Sequence, residues 1–153
     1  MKRLLAPLAL LGAALAWPSS VGMAQTSNPL ADLQWKKRVV LLFAKSRSDA
    51  GLDKQVDLLR EVRPDVSDRD MIVLRTAGRE ETRPVMGYTA LRNGTGRQLR
   101  ARYKPAERGL TVILIGKDGG EKKRWTKVVQ PEEIFQTIDA MPMRQREMRD
   151  SGS

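Results

Sequence analysis

Apolar and polar positions change period several times along this chain, and each change marks an element. Val39-Val40-Leu41-Leu42-Phe43-Ala44 is an unbroken apolar run rich in β-branched and aromatic types, the pattern of a central strand covered on both faces. From Ala50 to Arg63 the period lengthens. Leu52, Val56, Leu59 and Val62 recur at helical spacing opposite Asp53, Lys54, Asp57, Arg60 and Glu61, and Pro64 is expected to end the helix. Met71-Ile72-Val73-Leu74 reads as a second strand, entered from Asp68-Arg69-Asp70. Two buried strands joined by one helix predict a right-handed βαβ unit with parallel strands.

Patterning weakens after that unit. Arg79 to Gly94 reads as a loop or insertion, and Gln98 to Tyr103 as a short helix with Leu99 and Tyr103 on one face. It then sharpens: Leu110 to Ile115 is a strand, Gly116-Lys117-Asp118-Gly119-Gly120 a turn, and Glu121 to Val128 a second strand containing Trp125. Asp-Gly between two such runs predicts an antiparallel hairpin. Pro131-Glu132-Glu133 opens a helix whose acidic first turn suits the helix dipole, with Ile134, Phe135 and Ile138 facing inward. A basic tail follows from Pro142. Upstream of the first strand, Asn28 and Pro29 open a short helix carrying Leu30, Leu33 and Trp35. The order β-α-β-α-β-β-α predicts an α/β fold of the thioredoxin-like kind, a mixed sheet flanked by helices. A ferredoxin-like fold with a similar element count is the main competitor.

The first residues carry an address. Lys2 and Arg3 precede an apolar stretch from Leu4 to Trp17, and Gly22-Met23-Ala24 supplies small residues for signal peptidase, so a signal peptide over 1–24 is expected to be cleaved after Ala24. The apolar run is shorter than the ~20 residues that span a bilayer, which disfavours a retained anchor. No cysteine is present to carry a lipid. Residues 25–149 then form one domain, with 150–153 a flexible tail, in a periplasmic or secreted protein.

The 153 residues contain no Cys and no His. That excludes thiol oxidoreductase and peroxidase chemistry, disulfides and imidazole general-base catalysis for the chain acting alone. The formal charge of +10 falls by two when Lys2 and Arg3 leave with the leader. Such a charge favours an anionic envelope component or a protein partner, and export makes nucleic acid an unexpected one. The charge is spread along the chain, however, so a surface that merely keeps the protein soluble is the plainer reading.

The segments Leu33 to Ala44, Asp68 to Met71, Gly116 to Gly120 and Ile138-Asp139-Ala140-Met141-Pro142-Met143-Arg144 resemble a secreted domain of unknown function, P-DUDES. It occurs in bacterial exported proteins and in animal extracellular proteins of the sushi-repeat and coiled-coil-domain type. The resemblance spans about residues 30–149. It implies a thioredoxin-like fold related to peroxiredoxins, with no settled activity; no cofactor is expected from the residues themselves. In active enzymes of that fold the nucleophilic cysteine follows the first strand, where this chain has Ser46-Arg47-Ser48-Asp49.

Several residues are candidates for chemistry. Ser46, Arg47 and Ser48, with free N–H groups at a helix start, are a candidate anion or partner site, although Ser48 or Asp49 acting as a simple cap explains the segment too. Arg144, Arg146 and Arg149 are a candidate basic edge, with Arg144 and Arg146 expected to contact the partner. Met141, Met143 and Met148 offer thioethers to Cu(I), against a packing role for the same residues. Asp68, Asp70, Asp118 and Asp139 are the acids that a carboxylate-based hydrolase would need. Lys117-Asp118-Gly119-Gly120 lacks P-loop spacing and is expected to be a turn. The sequence therefore points to an exported, redox-inactive binding module, with copper handling and carboxylate hydrolysis as alternatives.

Overall fold

In a computed structural model, described here for residues 28–78, 82–87 and 89–152, five strands form one sheet in the order β3-β2-β1-β4-β5. The expected leader and the cleavage site after Ala24 lie outside the described residues.

Strand β1 (Arg38–Ala44) is the axis. All seven of its residues are buried, because helices cover both of its faces. It pairs in parallel with β2 (Met71–Ala77), in a register running from Arg38↔Met71 to Ala44↔Ala77. On its other side it pairs antiparallel with β4 (Thr111–Ile115). A tight turn at Gly119, with φ +80, returns β4 into β5 (Glu121–Trp125). β1 and β2 are direct neighbours joined through helices, which a ferredoxin-like sheet does not allow.

Alternation along β1 divides the core. Val40, Leu42 and Ala44 face α1 (Ala50–Glu61), α2 (Arg63–Asp68) and α4 (Pro131–Asp139), meeting Leu52, Leu59, Val66, Ile134 and Ile138. Val39, Leu41 and Phe43 face the opposite way, toward Leu99 and Tyr103 of α3 (Thr95–Tyr103) and Leu30 beside a 3-10 turn at Ala31–Leu33. Each fully buried Leu, Ile or Phe contributes about 1.5–3 kcal/mol, so these two layers supply most of the stabilisation. One buried polar group is used structurally: Gln55 exchanges two hydrogen bonds with the Val129 backbone, 3.0 and 2.8 Å, fixing the chain between β5 and α4.

Four expectations change. The first helix stops at Glu61, and Pro64 lies in the first turn of a separate helix α2, where its missing N–H costs nothing. Inside the expected loop, Arg83–Met86 forms β3, antiparallel to β2 with a register shift. Pro84 is tolerated because β3 is an edge strand. The basic tail is helix α5 (Pro142–Ser151), which continues past position 150. Trp35 does not lie on a helix: it follows the 3-10 turn with φ +65 and is 62% exposed. No helix among the described residues is long and apolar enough to cross a membrane.

Candidate functional site

The junction of β1 and α1, where the sequence places a serine-containing substitute for a reactive cysteine, is closed by its own carboxylate. Asp49 accepts the Leu52 N–H at 3.1 Å as the N-cap of α1, so the favourable position for negative charge at this helix start is already filled. Ser46, Arg47 and Ser48 are exposed on the approach. Behind them, Arg100 of α3 donates to Ala44 O and Thr76 O, at 3.0 and 3.1 Å, and stacks on Phe43. Burial pushes the Arg100 guanidinium below its ordinary value. It acts as a clamp between α3 and the ends of β1 and β2.

The other end of β1 is richer. Arg38 begins the strand, only 1% exposed, because the sheet and α5 close over it. Its guanidinium donates to Arg69 O at 2.9 Å and to both carboxylate oxygens of Glu147, at 3.1 and 3.2 Å. Lys117, at the end of β4, bridges Glu147 at 2.7 Å and Asp70 at 2.8 Å, and Lys37 also reaches Asp70. A second cluster adjoins it: Arg69 pairs with Asp139, and Arg144 with Asp68 and Asp139. Burial alone would raise the Asp70 and Glu147 carboxyls. Lys117 and Lys37 instead hold Asp70 below its ordinary value, and Arg38 and Lys117 do the same for Glu147.

This network floors an open cleft of about 590 Å³ lined by Trp35, Lys117, Lys122, Thr137 and the segment from Ala140 to Met143. Its upper edge is Trp35. The Trp35 N–H donates to Lys117 O at 2.6 Å, and the neighbouring Gln34 side chain donates to Asp118 O at 2.9 Å. These bonds hold a bulky residue in left-handed backbone, a conformation that costs of order 1–3 kcal/mol and is found mainly where function keeps it. The exposed indole consequently lines the same cleft as Met141 and Met143.

The residues singled out from the sequence are thus distributed unevenly. Ser46 to Ser48 and Arg144 occupy opposite ends of the seven-residue strand β1, about 20 Å apart. Arg144 and Arg146 do not share an edge: Arg144 is buried against Asp68 and Asp139, whereas Arg146 is exposed. Met141 and Met143 line the cleft, but Met148 is outside its lining and 40% exposed. Each of the four aspartates has a cationic partner, Lys122 for Asp118. Both the Asp70 and the Asp118 carboxyls are held below their ordinary values, the latter mainly by Lys122 and partly against burial, which leaves neither suited to donate a proton near neutrality. The Lys117 to Gly120 segment is the hairpin turn expected. Trp35 and Arg38 were missed. A basic triplet, Lys36-Lys37-Arg38, directly before a fully buried strand was the available signal, since a cation there must either cap the sheet end or pair within it.

Among solved structures, the fold is similar to that of Plasmodium vivax 2-Cys peroxiredoxin in its reduced form, with 14% identity, a TM-score of 0.55, and coverage of 76% of this chain and 72% of that one. It is also similar to Plasmodium yoelii thioredoxin peroxidase I, at 14% identity and TM-score 0.51 over 76% of this chain and 79% of that one. These likenesses establish a thioredoxin-like fold. Among curated proteins none matches this sequence. The model of the domain of unknown function DUF4174 matches residues 29–147, and the chain belongs to that family.

Proposed function

We infer that this domain is an exported, redox-inactive binding module that holds a protein or an anionic envelope component on a thioredoxin-like frame. The observation that carries the reading is Trp35, a large apolar side chain displayed over a cleft from costly left-handed backbone, whose main-chain N–H is bonded to Lys117 O. Exposed aromatic anchors with pre-set backbone are what protein interfaces use, because little freedom is lost on binding. An apolar side chain of a protein partner would seat between the indole and Met141-Pro142-Met143, above the ion pairs that keep the floor rigid.

Redox inactivity follows from the composition, since no thiol exists to reduce a disulfide or a peroxide. The purified domain should neither reduce insulin disulfides nor decompose peroxide, and turnover in either assay defeats this part. Export rests on the leader-like start; protein recovered from outside the inner membrane should begin at Gln25. The binding surface is tested with a photo-crosslinking amino acid at position 35 and, as control, at exposed Lys54 of α1. One discrete partner adduct specific to position 35 is expected. Equal or absent adducts at both positions defeat the cleft.

A further inference from the structure

At the Arg38 end of the sheet cations and carboxylates neutralise one another, whereas the segment around α3 is rich in cations and poor in acids. Lys37, Arg38, Arg69, Lys117 and Arg144 all pair with carboxylates at the end of the sheet described above. From Thr82 to Ala106 the chain contains no Asp or Glu. This stretch holds α3, which covers the opposite face of the sheet with Leu99 and Tyr103 turned inward. Arg92, Arg97, Arg102, Lys104 and, just beyond, Arg108 are exposed, and none forms an ion pair among the described residues. The acids nearest in the chain are Glu81, just before this stretch, and Glu107, just after it; Asp32 lines a small recess on this face, and Glu121 is already held by Arg124.

We propose that the α3 face docks on the surface of an anionic phospholipid bilayer. α3 is about 13 Å long, little more than a Debye length, so its cations and those flanking it act together on a charged plane. The recess on this face, lined by Pro29, Asp32, Arg92 and Thr95, measures about 150 Å³ and contains a carboxylate, which disfavours capture of a small anion. Arg97 and Arg102 flank the outer stripe of α3 and the other cations lie just beyond its ends, an arrangement that suits an extended charged surface more than a point anion. Between Arg97 and Arg102 the outer stripe carries Gln98 and Ala101, with no large apolar group to insert. Binding is therefore peripheral and electrostatic.

This inference rests on the anionic-component part of the proposed function, and the experiment separates the two. The domain is sedimented with vesicles rich in phosphatidylglycerol and with vesicles of phosphatidylcholine alone, at low and high salt. Binding only to the anionic vesicles, lost at high salt, is expected. At about fivefold per cation, Arg97→Gln with Arg102→Gln should weaken partitioning roughly 25-fold. The charge-matched control Lys54→Gln with Lys127→Gln should cost far less, and both variants should keep the wild-type melting temperature. Equal losses in the two variants reduce the effect to net charge and overturn the face. Binding to soluble polyphosphate without vesicle binding overturns the lipid assignment while sparing the anionic reading. Binding to neither overturns both.

Discussion

Removing Glu147 should destabilise the domain far more than its partly exposed position suggests, because the loss falls on Arg38. The Arg38 guanidinium is almost fully buried, and two of its hydrogen bonds end on the Glu147 carboxylate. Breaking a fully buried pair from one side costs about 3–5 kcal/mol. Here Arg38 keeps the Arg69 carbonyl and water can enter where Glu147 stood, so Glu147→Ala should cost about 2–3 kcal/mol. Helix propensity cannot account for such a loss, since alanine is the strongest helix former in α5. In urea the midpoint should fall by about 1–2 M without a change in slope. Arg38→Met in the Glu147→Ala background should recover stability, because it removes the stranded charge. The pH dependence has a definite sign. Arg38 and Lys117 hold the Glu147 carboxyl below its ordinary value despite burial, so its contribution is complete above the unfolded value of about 4.3 and disappears as pH falls through the folded one. Wild type and Glu147→Ala should therefore differ fully at neutral pH and converge in acid. A loss below about 0.5 kcal/mol at neutral pH, or additive losses in the double variant, refutes this account of Arg38.

Three further outcomes follow from local geometry. Gly87→Ala should destabilise by about 1–3 kcal/mol in urea unfolding, since φ is +73 and a Cβ would overlap the Ile72 Cγ2 methyl; measured in an Ile72→Ala background the same Gly87→Ala change should cost less than in wild type. Asp49→Ala removes the α1 cap and should cost about 1 kcal/mol, read as a lower urea midpoint, with the cleft unchanged. Trp35→Gly should leave stability within about 1 kcal/mol of wild type, as relief of left-handed strain offsets the added freedom of the unfolded chain, while the position-35 contact with a partner is lost.

Runs whose pattern reports their own environment were legible in advance. The Val39 to Ala44 run reads as a doubly covered strand and is one, and the Asp118-Gly119 turn between two strands returns β4 into β5 as expected. Pro64 misled because a proline breaks a helix and starts one equally well. β3 was hidden because a four-residue edge strand containing Pro84 has too few positions to show a period. Ser46 to Asp49 follows the first strand as expected, and of the two caps the sequence offered, Ser48 and Asp49, it is Asp49 that accepts the Leu52 N–H, a choice set by the local backbone.

The sequence by itself determined the thioredoxin-like order of strands and helices and the absence of thiol and imidazole chemistry, because periodicity and composition are local properties. Only the tertiary structure decided where charge is neutralised. It buries Arg38 and Arg144 against acids from distant segments, leaves Arg97 and Arg102 on α3 without an acidic partner among the described residues, and turns Trp35 outward over a cleft. Ion pairing and exposure depend on which segments meet in space. An evenly basic sequence thereby becomes a domain with one neutralised end and one basic face.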